Sequence, residues 1–276
     1  MNDLELAQDI ERVYAEKSVA VLVTVIEPAP PDFIGAKILI QFPSPEHHRV
    51  VGDVFQSRLA NRPSALDQVI EAARAFAQKE EARVAALLLE DELAPLRVMM
   101  ELVCAEPQLI ICGGGHIGQA LAPLARLLDF DVAVIDDRAD FASRELFPDE
   151  SVHLIVKPYA EALASLKITP STSIVIVTRG HKHDENCLRI LLNSLARYIG
   201  MIGSARRVIT VFRRLLDEDF PMEAIQRVHA PIGLDIGART PAEIALSILA
   251  EVILAKYGGT GAPKRYEVKH DVHLKK

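Results

Sequence analysis

The sequence predicts an α/β protein in which a small N-terminal α/β domain precedes a larger domain with a doubly wound parallel sheet. The apolar segment 109–112 runs into Gly113, Gly115 and Gly118, which form the G-x-G-x-x-G pattern of a phosphate-binding turn. Strand-like and helix-like segments alternate beyond this turn, as they do in parallel sheets covered by helices. The turn lies in mid-chain, so a separate module comes before it. We therefore expect a C-terminal domain of the Rossmann type.

Each glycine of the turn has a steric reason. Gly113 allows the tight bend from strand to helix, and Gly118 lets the helix pack close to the strand. Gly115 has no Cβ, so a diphosphate can approach the backbone, where the next helix offers free N–H groups and a partial positive charge. Asp136 ends the following strand 18 residues after Gly118. That is where a carboxylate that binds a ribose hydroxyl is found in this fold.

The N-terminal domain, residues 1–105, is expected to contain more strand than helix. Apolar periodicity predicts two helices, and β-branched or alternating segments predict four strands. The predicted helices are 3–16 and 64–81, and the predicted strands are 19–26, 35–42, 83–89 and 96–103.

The Rossmann-type domain is expected over 106–258, followed by a peripheral tail over 259–276. Its alternating segments predict a mostly parallel sheet. The predicted strands are 109–112, 132–136, 152–156, 173–178 and 197–202, and the predicted helices are 117–128, 141–147, 159–166, 184–195, 204–217 and 241–256.

Composition limits the classes of protein. Half of the 276 residues are hydrophobic, a quarter are charged, and the net charge is −7, which argues against a general nucleic-acid binder. No basic, apolar leader follows Met1, and no apolar run approaches the roughly 20 residues of a membrane span. Cys104, Cys112 and Cys187 show no C-x-x-C spacing, which favours a reducing cytoplasm. We expect neither nucleic acid nor a membrane as a partner.

The fourth predicted strand of the second domain leads into a histidine-rich segment. His181, His183 and Asp184 follow its carboxyl end, which faces the ligand crevice in a doubly wound sheet. These residues could bind a ligand by hydrogen bonds or acid–base service, or they could hold a metal. Alternatively, Asp184 only caps the next helix and the histidines are solvated.

The fifth predicted strand leads into a second anion-friendly helix start. Gly203 and Ser204 precede that helix, and Arg206 and Arg207 can supply charge. The ordinary alternative is a capped helix with solvated arginines.

The loop that begins at His229 leads into the last predicted helix. Thr240 and Glu243 have the spacing of a capping box, with Pro241 at the first helical position. The loop itself is long for a connector, so it is expected to line the crevice or a subunit contact.

Four motifs carry a resemblance to a known family. They are Gly-Gly-Gly-His-Ile-Gly at 113–118, Val-Ile-Asp-Asp-Arg at 134–138, Tyr-Ile-Gly-Met-Ile-Gly-Ser at 198–204, and the segment 229–247. In this order they resemble the xanthine dehydrogenase accessory protein family of the XdhC/CoxI type. The likeness is close over 109–257 and loose over the N-terminal part.

The resemblance implies a maturation factor rather than a hydroxylase. Family members are thought to bind molybdenum cofactor (molybdopterin) and to help its sulfuration and insertion into molybdenum hydroxylases. The implied partners are a molybdenum hydroxylase client and a cysteine desulfurase. If the cofactor binds in the Rossmann crevice, we expect its binding residues to be Gly113, Gly115, His116 and Gly118 around a phosphate, Asp136 at a hydroxyl, His181 and Asp184 on the opposite wall, and Ser204 and Arg206 at anionic groups.

The sequence departs from the family pattern near the N-terminus. Members usually carry a Gly-Ser-x-x-Gly-Gly-Cys-x-Glu segment after the second strand, with a cysteine suited to cofactor or sulfur handling. Here 51–57 reads Val-Gly-Asp-Val-Phe-Gln-Ser, and no cysteine lies between Met1 and Val103. This chain is therefore expected to be a divergent paralogue, or to act with a partner that supplies the cysteine.

Two other functions remain open on the residues alone. One is an NAD(P)-dependent oxidoreductase, for which Asp136 favours NAD. The other is an NAD-responsive regulatory module that catalyses no reaction.

Whichever function holds, the helix Ile244 to Ala255 is apolar nearly all round, so the sheet or a second subunit must bury it. We expect a homodimer.

Overall fold

The computed structural model describes residues 3–16, 18–27, 29, 31–42, 47–51, 63–79, 84–89, 96–104 and 106–264. The chain divides into two compact units, Met1–Glu106 and Pro107–Lys276, and each is described by itself.

The N-terminal unit is built on a five-stranded antiparallel sheet in the order β3-β2-β1-β5-β4. Its strands are β1 (Val19–Ile26), β2 (Lys37–Phe42), β3 (Arg49–Val51), β4 (Val84–Leu89) and β5 (Leu96–Cys104), and its helices are α1 (Asp3–Ala15) and α2 (Pro63–Lys79).

Both faces of this sheet carry buried apolar side chains. Side chains alternate between faces along β1, so Val21 and Val23 pack with Val69 of α2, whereas Ala20 packs with Val13 of α1. The unit is therefore an α/β module, as the sequence predicts.

The C-terminal unit contains a six-stranded parallel sheet in the order β11-β10-β9-β6-β7-β8. Read by chain position, this is the 3-2-1-4-5-6 order of dinucleotide-binding sheets. The strands are β6 (Gln108–Cys112), β7 (Asp131–Asp136), β8 (His153–Val156), β9 (Thr172–Ile176), β10 (Tyr198–Met201) and β11 (Val228–His229). The doubly wound parallel sheet predicted from the sequence is confirmed.

Helices cover both faces of the parallel sheet. They are α3 (His116–Leu127), α4 (Tyr159–Ser165), α5 (His181–Leu191), α6 (Ala205–Asp217), α7 (Met222–Gln226) and α8 (Pro241–Tyr257). The core on one face includes Leu121 of α3 and Leu249 of α8, and the core on the other includes Leu188 of α5 and Val211 of α6. Because both faces are covered, β6 and β9 are buried along their whole length.

Two predicted helices differ from the structure. Residues 141–147 form turns rather than a helix, because the Arg144 guanidinium donates to the carbonyls of Asp149 and Val152 and so folds this segment back. The helix predicted over 184–195 begins earlier, at His181, and Gly180 is its N-cap. Of the predicted tail, 265–276 lies outside the described residues, and 259–264 contains neither helix nor strand.

The last helix, α8, begins at the predicted capping box. The Thr240 side chain accepts from the Glu243 N–H, and the Glu243 carboxylate accepts from the Thr240 N–H at 2.9 Å. Ile248 and Val252 are buried against the sheet and α3, while Leu246 on another face is 55 % exposed. In the parts of the chain that the structure describes, no helix is long and apolar enough to span a membrane.

A polar network anchors the loop that follows β11. The Tyr198 hydroxyl donates to Glu251 Oε2 at 2.5 Å, and the Gly233 N–H donates to the same oxygen at 2.8 Å. His229 Nδ1 lies 3.3 Å from Glu251 Oε1, and its ring packs on the Tyr198 ring. Burial would raise the pKa of Glu251, but hydrogen bonds from His229, Tyr198 and Gly233 outweigh it and lower that pKa. The carboxylate thus ties α8 to β10 and to the loop.

Tyr198→Phe is expected to destabilise the chain by about 2 kcal/mol, because it removes one hydrogen bond to a partly buried carboxylate while it keeps the ring. Urea unfolding followed by circular dichroism measures the change. Tyr257→Phe is the matched control, since Tyr257 is half exposed. Equal losses in the two variants would contradict a role for the Tyr198 hydroxyl.

Candidate functional site

The candidate site lies where the strand order reverses, between β6 and β9. From these two central strands the chain leaves towards opposite edges of the sheet, which opens a crevice at their carboxyl ends. The Gly113 N–H donates to the Ile135 carbonyl at 2.8 Å, and the Val177 N–H donates to the Cys112 carbonyl at 2.9 Å. These bonds extend the sheet to the floor of the crevice.

The glycine turn at this floor is packed at three positions and open at one. Gly113 has a φ of +126°, which only glycine adopts readily, and a Cβ there would overlap the Val177 carbonyl. A Cβ on Gly114 would overlap the Phe141 carbonyl, and a Cβ on Gly118 would overlap the Gly113 carbonyl. A Cβ on Gly115 would meet nothing within 4 Å. The open side of the turn is therefore at Gly115.

Helix α3 starts at this open side without a side-chain cap. Its N-cap residue is Gly115, which has no side chain with which to cap the helix. The exposed His116 is its first helical residue. The first N–H groups of a helix have no partner within the helix. Together with the helix dipole, they form a site suited to a phosphate or carboxylate.

Asp136, at the end of β7, is fully buried and supports the turn. Its Oδ2 accepts from the Gly114 N–H and from Arg138 Nη2, both at 3.0 Å. Its Oδ1 accepts from Arg138 Nε at 2.8 Å and from the Arg138 N–H at 3.1 Å. Two carboxylate oxygens offer about four acceptor positions, so the chain itself uses all of them.

The electrostatics of Asp136 follow from these contacts. Burial would raise its pKa, but the hydrogen bonds from Arg138 and Gly114 outweigh burial, and the pKa lies below its usual value of 3.8. The Arg138 guanidinium also stacks on the Phe141 ring, 3.4 Å from the ring centroid. Asp136 is thus ionised at neutral pH, and its hydrogen bonds hold the carboxylate in place.

The wall beside β9 is organised around Asp184, which is fully buried inside α5. Thr178 Oγ1 donates to Asp184 Oδ1 at 2.5 Å, and the Arg207 guanidinium pairs with Oδ2. Asp184 therefore joins α5, α6 and the end of β9, and it is not the N-cap that one interpretation of the sequence assigned. The side chain of His181 lies outside the described residues.

The structure also bears on His183 and on the metal site that the sequence left open. The His183 ring packs edge-on against Tyr159, with centroids 5.3 Å apart. Tyr159 is buried, and burial raises the pKa of its hydroxyl. Among the described residues, no group of three or more His, Cys, Asp or Glu side chains could hold a metal ion.

A groove of about 350 Å³ opens beside the start of α6. Ser204 caps this helix by accepting from the Arg207 N–H. The groove is lined by Glu185, Ser204, Arg206, Arg207, Thr210, Val211 and Arg214. It lies at the carboxyl side of β10, next to the wall that Asp184 organises.

The structure brings some predicted residues together and adds others. Gly113, Gly115, His116 and Gly118 form one turn, and Asp136 reaches that turn through the Gly114 N–H. Asp184, Ser204 and Arg206 lie around the α5 and α6 wall.

Sequence reasoning missed Arg138 and Thr178, the partners that fill the acceptor positions of the two buried aspartates. Their proximity to Asp136 and Asp184 in the chain was the available signal.

Strand order and the glycine turn together define this unit as a Rossmann domain. A comparison with family models agrees, since residues 109–252, just over half of the chain, match the XdhC Rossmann domain. The chain belongs to the XdhC family.

Two curated relatives match over about half of this chain. One, from Bacillus subtilis (strain 168), is named as part of a probable xanthine dehydrogenase and is 34 % identical over 54 % of this chain and 42 % of its own length. The molybdenum cofactor insertion chaperone PaoD from Escherichia coli (strain K12) is 26 % identical over 52 % of this chain and 39 % of its own length. The matched segments thus span less than half of these relatives.

A solved structure described as a xanthine dehydrogenase from Bacillus halodurans has a similar fold. Its TM-score is 0.50 at 21 % identity, and the match covers 94 % of this chain and 97 % of that one. At this identity the likeness concerns the fold alone.

Gly118→Ala is expected to destabilise the chain by about 2–3 kcal/mol, because the new Cβ overlaps the Gly113 carbonyl, although alanine is the better helix former. Gly115→Ala is the matched control and should stay within about 1 kcal/mol of the wild type, since its Cβ meets open space and its φ is −72°. Calorimetric unfolding compares the two. Similar losses would contradict the packing described for Gly118.

Asp136→Asn is expected to cost about 2–4 kcal/mol at pH 7, because it leaves the Arg138 guanidinium without its carboxylate. The folded-state pKa of Asp136 lies below 3.8, so its stabilising effect is complete above that pH and is lost as the pH falls through the folded value. The gap between wild type and variant should therefore narrow below about pH 3.8.

Urea titrations at several pH values test this dependence on pH. Asp140→Asn, at an exposed position of the same loop, is the control for charge alone. A gap that does not depend on pH would contradict the assignment to Asp136.

Proposed function

We propose that this protein is a maturation factor for a molybdenum hydroxylase, one that binds molybdenum cofactor as cargo and assists its sulfuration or insertion. The observation that carries the proposal is the uncapped start of α3 at Gly115, open to a crevice at the switch point of the sheet. An anionic group is the natural ligand of such a helix start. Molybdopterin carries a phosphate and so suits it.

The relatives support this class of function. One is named as part of a probable xanthine dehydrogenase, and another as a molybdenum cofactor insertion chaperone. Both match over about half of this chain, and the crevice lies in the Rossmann domain that defines the family. We propose the same cofactor-handling role for this chain, with a molybdenum hydroxylase as its client.

The residues of the crevice fit a cargo that is held and then released. Gly115, His116 and Gly118 would hold the phosphate through N–H groups at the first turn of α3, on the bend that Gly113 makes. Asp136 would act as a positioning residue, because its oxygens already hold the Gly114 N–H and Arg138. On the opposite wall, His181 would contact the cargo, and Asp184 would position that wall.

The state of Asp136 favours this function over an NAD-dependent one. In NAD enzymes of this fold, the corresponding carboxylate binds ribose hydroxyls. Here Arg138 and Gly114 use its acceptor positions, so a ribose hydroxyl would have to displace one of them. This arrangement therefore favours a maturation factor over an NAD(P)-dependent oxidoreductase or an NAD-responsive module.

Sulfur, in this proposal, comes from a partner. Cys112 and Cys187 are buried, and Cys104 is partly buried. The contact with the Cys112 thiol, together with burial, raises the pKa of Cys187 and so disfavours its reactive thiolate. Residues 52–57, where the family carries its cysteine segment, lie outside the described residues. A cysteine desulfurase is the partner that would supply the sulfur.

Two further expectations belong to this proposal. A cytoplasmic location is consistent with three cysteines that form no disulfide. A homodimer would cover exposed apolar side chains on α8, of which Leu246 is one.

Gly115→Asp is expected to weaken molybdenum cofactor binding by at least about tenfold, because the added carboxylate caps α3 and repels a phosphate. Gly115→Ser is the matched control: it also caps the helix but adds no charge, so it should bind within about threefold of the wild type. The measurement is the molybdenum content of the protein after incubation with cofactor released from a molybdenum hydroxylase.

Wild-type protein should take up the cofactor stoichiometrically in the same experiment. Failure to bind it, with and without the hydroxylase, would overturn the proposal. Fluorescence titration with NADH is the parallel test, because tight binding with substrate-dependent oxidation would instead favour an oxidoreductase.

A further inference from the structure

We propose that the groove beside α6 is a second anion site, which binds a phosphate or diphosphate group remote from the glycine turn. That this group belongs to the same cargo rests on the proposed function, whereas the site itself is argued from its own geometry. The cargo would then be held at two ends, by α3 at one end and by α6 at the other.

The Arg207 side chain passes close to Gly203 before it reaches a buried acid. A Cβ on Gly203 would lie 3.3 Å from Arg207 Cδ, so the Arg207 stem passes closely over this position. In this course Arg207 reaches the buried carboxylate of Asp184. On the other side, Arg214 Nη1 donates to Glu185 Oε1 at 2.6 Å. Two arginines are therefore fixed by buried acids, which keeps the groove formed before a ligand arrives.

The cations of the groove exceed its anions. Three arginines and one glutamate line it, for a net lining charge of +2. Arg206 is exposed and makes no hydrogen bond or ion pair with another side chain among the described residues. Arg207 Nε is buried and has no hydrogen-bond partner in that part of the chain. An anion in the groove would meet the exposed guanidinium of Arg206.

Neutral donors add to the cations. Ser204 Oγ accepts from the Arg207 N–H at 3.4 Å, so its own proton is free to be donated. The N–H groups of Ala205 and Arg206 belong to the first turn of α6 and have no partner within the helix. Planar guanidinium groups, a hydroxyl and helix N–H groups are the donor set that binds phosphate best.

The position of the groove indicates how far apart two anionic groups would lie. β6, which leads to the glycine turn, and β10, which leads to α6, are separated by β9. Neighbouring strands lie about 4.8 Å apart, so β6 and β10 are about 10 Å apart within the sheet, and the helices that follow them pack on opposite faces of it. A single phosphate cannot occupy both sites, whereas the two ends of one extended ligand can.

The site can be tested with inorganic pyrophosphate and backbone NMR of ¹⁵N-labelled protein. In the wild type, the amides of Ala205 and Arg206 should shift on titration, as should those of His116 and Ile117 at α3. Arg206→Gln removes one charged hydrogen-bonding partner, so the pyrophosphate affinity measured from the α6 amides should fall by about tenfold. The affinity measured from the α3 amides should stay unchanged.

Arg213→Gln is the matched control, since Arg213 is exposed on the same helix but does not line the groove. This variant should leave the pyrophosphate affinities at α3 and at α6 within about twofold of the wild type, because an exposed charge outside the site contributes little. Equal losses of pyrophosphate affinity in the two variants would show that pyrophosphate binds through the overall charge of the helix, which would overturn the site. Unmoved α6 amides in the wild type would also overturn it, and an acidic segment of the client would then be the better occupant.

This experiment and the cofactor-uptake experiment fail independently. Shifts at α6 without uptake of molybdenum cofactor would support the anion site and overturn the proposed function. Uptake of cofactor with unmoved α6 amides would overturn the second site alone.

Discussion

The C-terminal unit depends on the carboxylate of Asp136. Through its bonds to the Gly114 N–H and to Arg138, this one side chain joins the end of β7 to the bend that follows β6. The bend in turn sets where α3 begins, and the start of α3 is the anion site that we propose. A buried carboxylate is costly unless it is paired and hydrogen-bonded, so this geometry is tightly defined.

A second buried carboxylate has the same role across the crevice. Asp184 receives Thr178 from the end of β9 and Arg207 from α6. The two helix starts of the site are thus each held by one buried aspartate with an arginine partner. In this arrangement the ligand-facing groups are backbone N–H groups and spare cations, while the acids stay behind them. Such a crevice suits the anionic cargo that we propose.

Sequence patterns predicted local features well and pairings poorly. The steric demands at Gly113 and Gly118 and the capping box at Thr240 depend on neighbours within a few residues, so they can be recognised in a single sequence. The helix expected at 141–147 was wrong because Arg144 bonds to carbonyls that follow it in the chain. Similarly, adjacent arginines at 206 and 207 look equivalent in sequence, and only helical phase turns one of them towards Asp184.

The sequence by itself determined the fold class, the place of the glycine turn and the family, because these follow from periodicity and from motifs in a fixed order. Only the tertiary structure decided what the buried aspartates do. In the sequence, Asp136 stands where a carboxylate binds a ribose hydroxyl in this fold. In the folded chain, however, Arg138 and the Gly114 N–H already use its acceptor positions. The physical reason is that hydrogen-bond capacity is limited, and only the folded backbone shows which donors use it: Arg138 turns back onto Asp136 from two residues away, and the Gly114 N–H reaches it from the turn after β6.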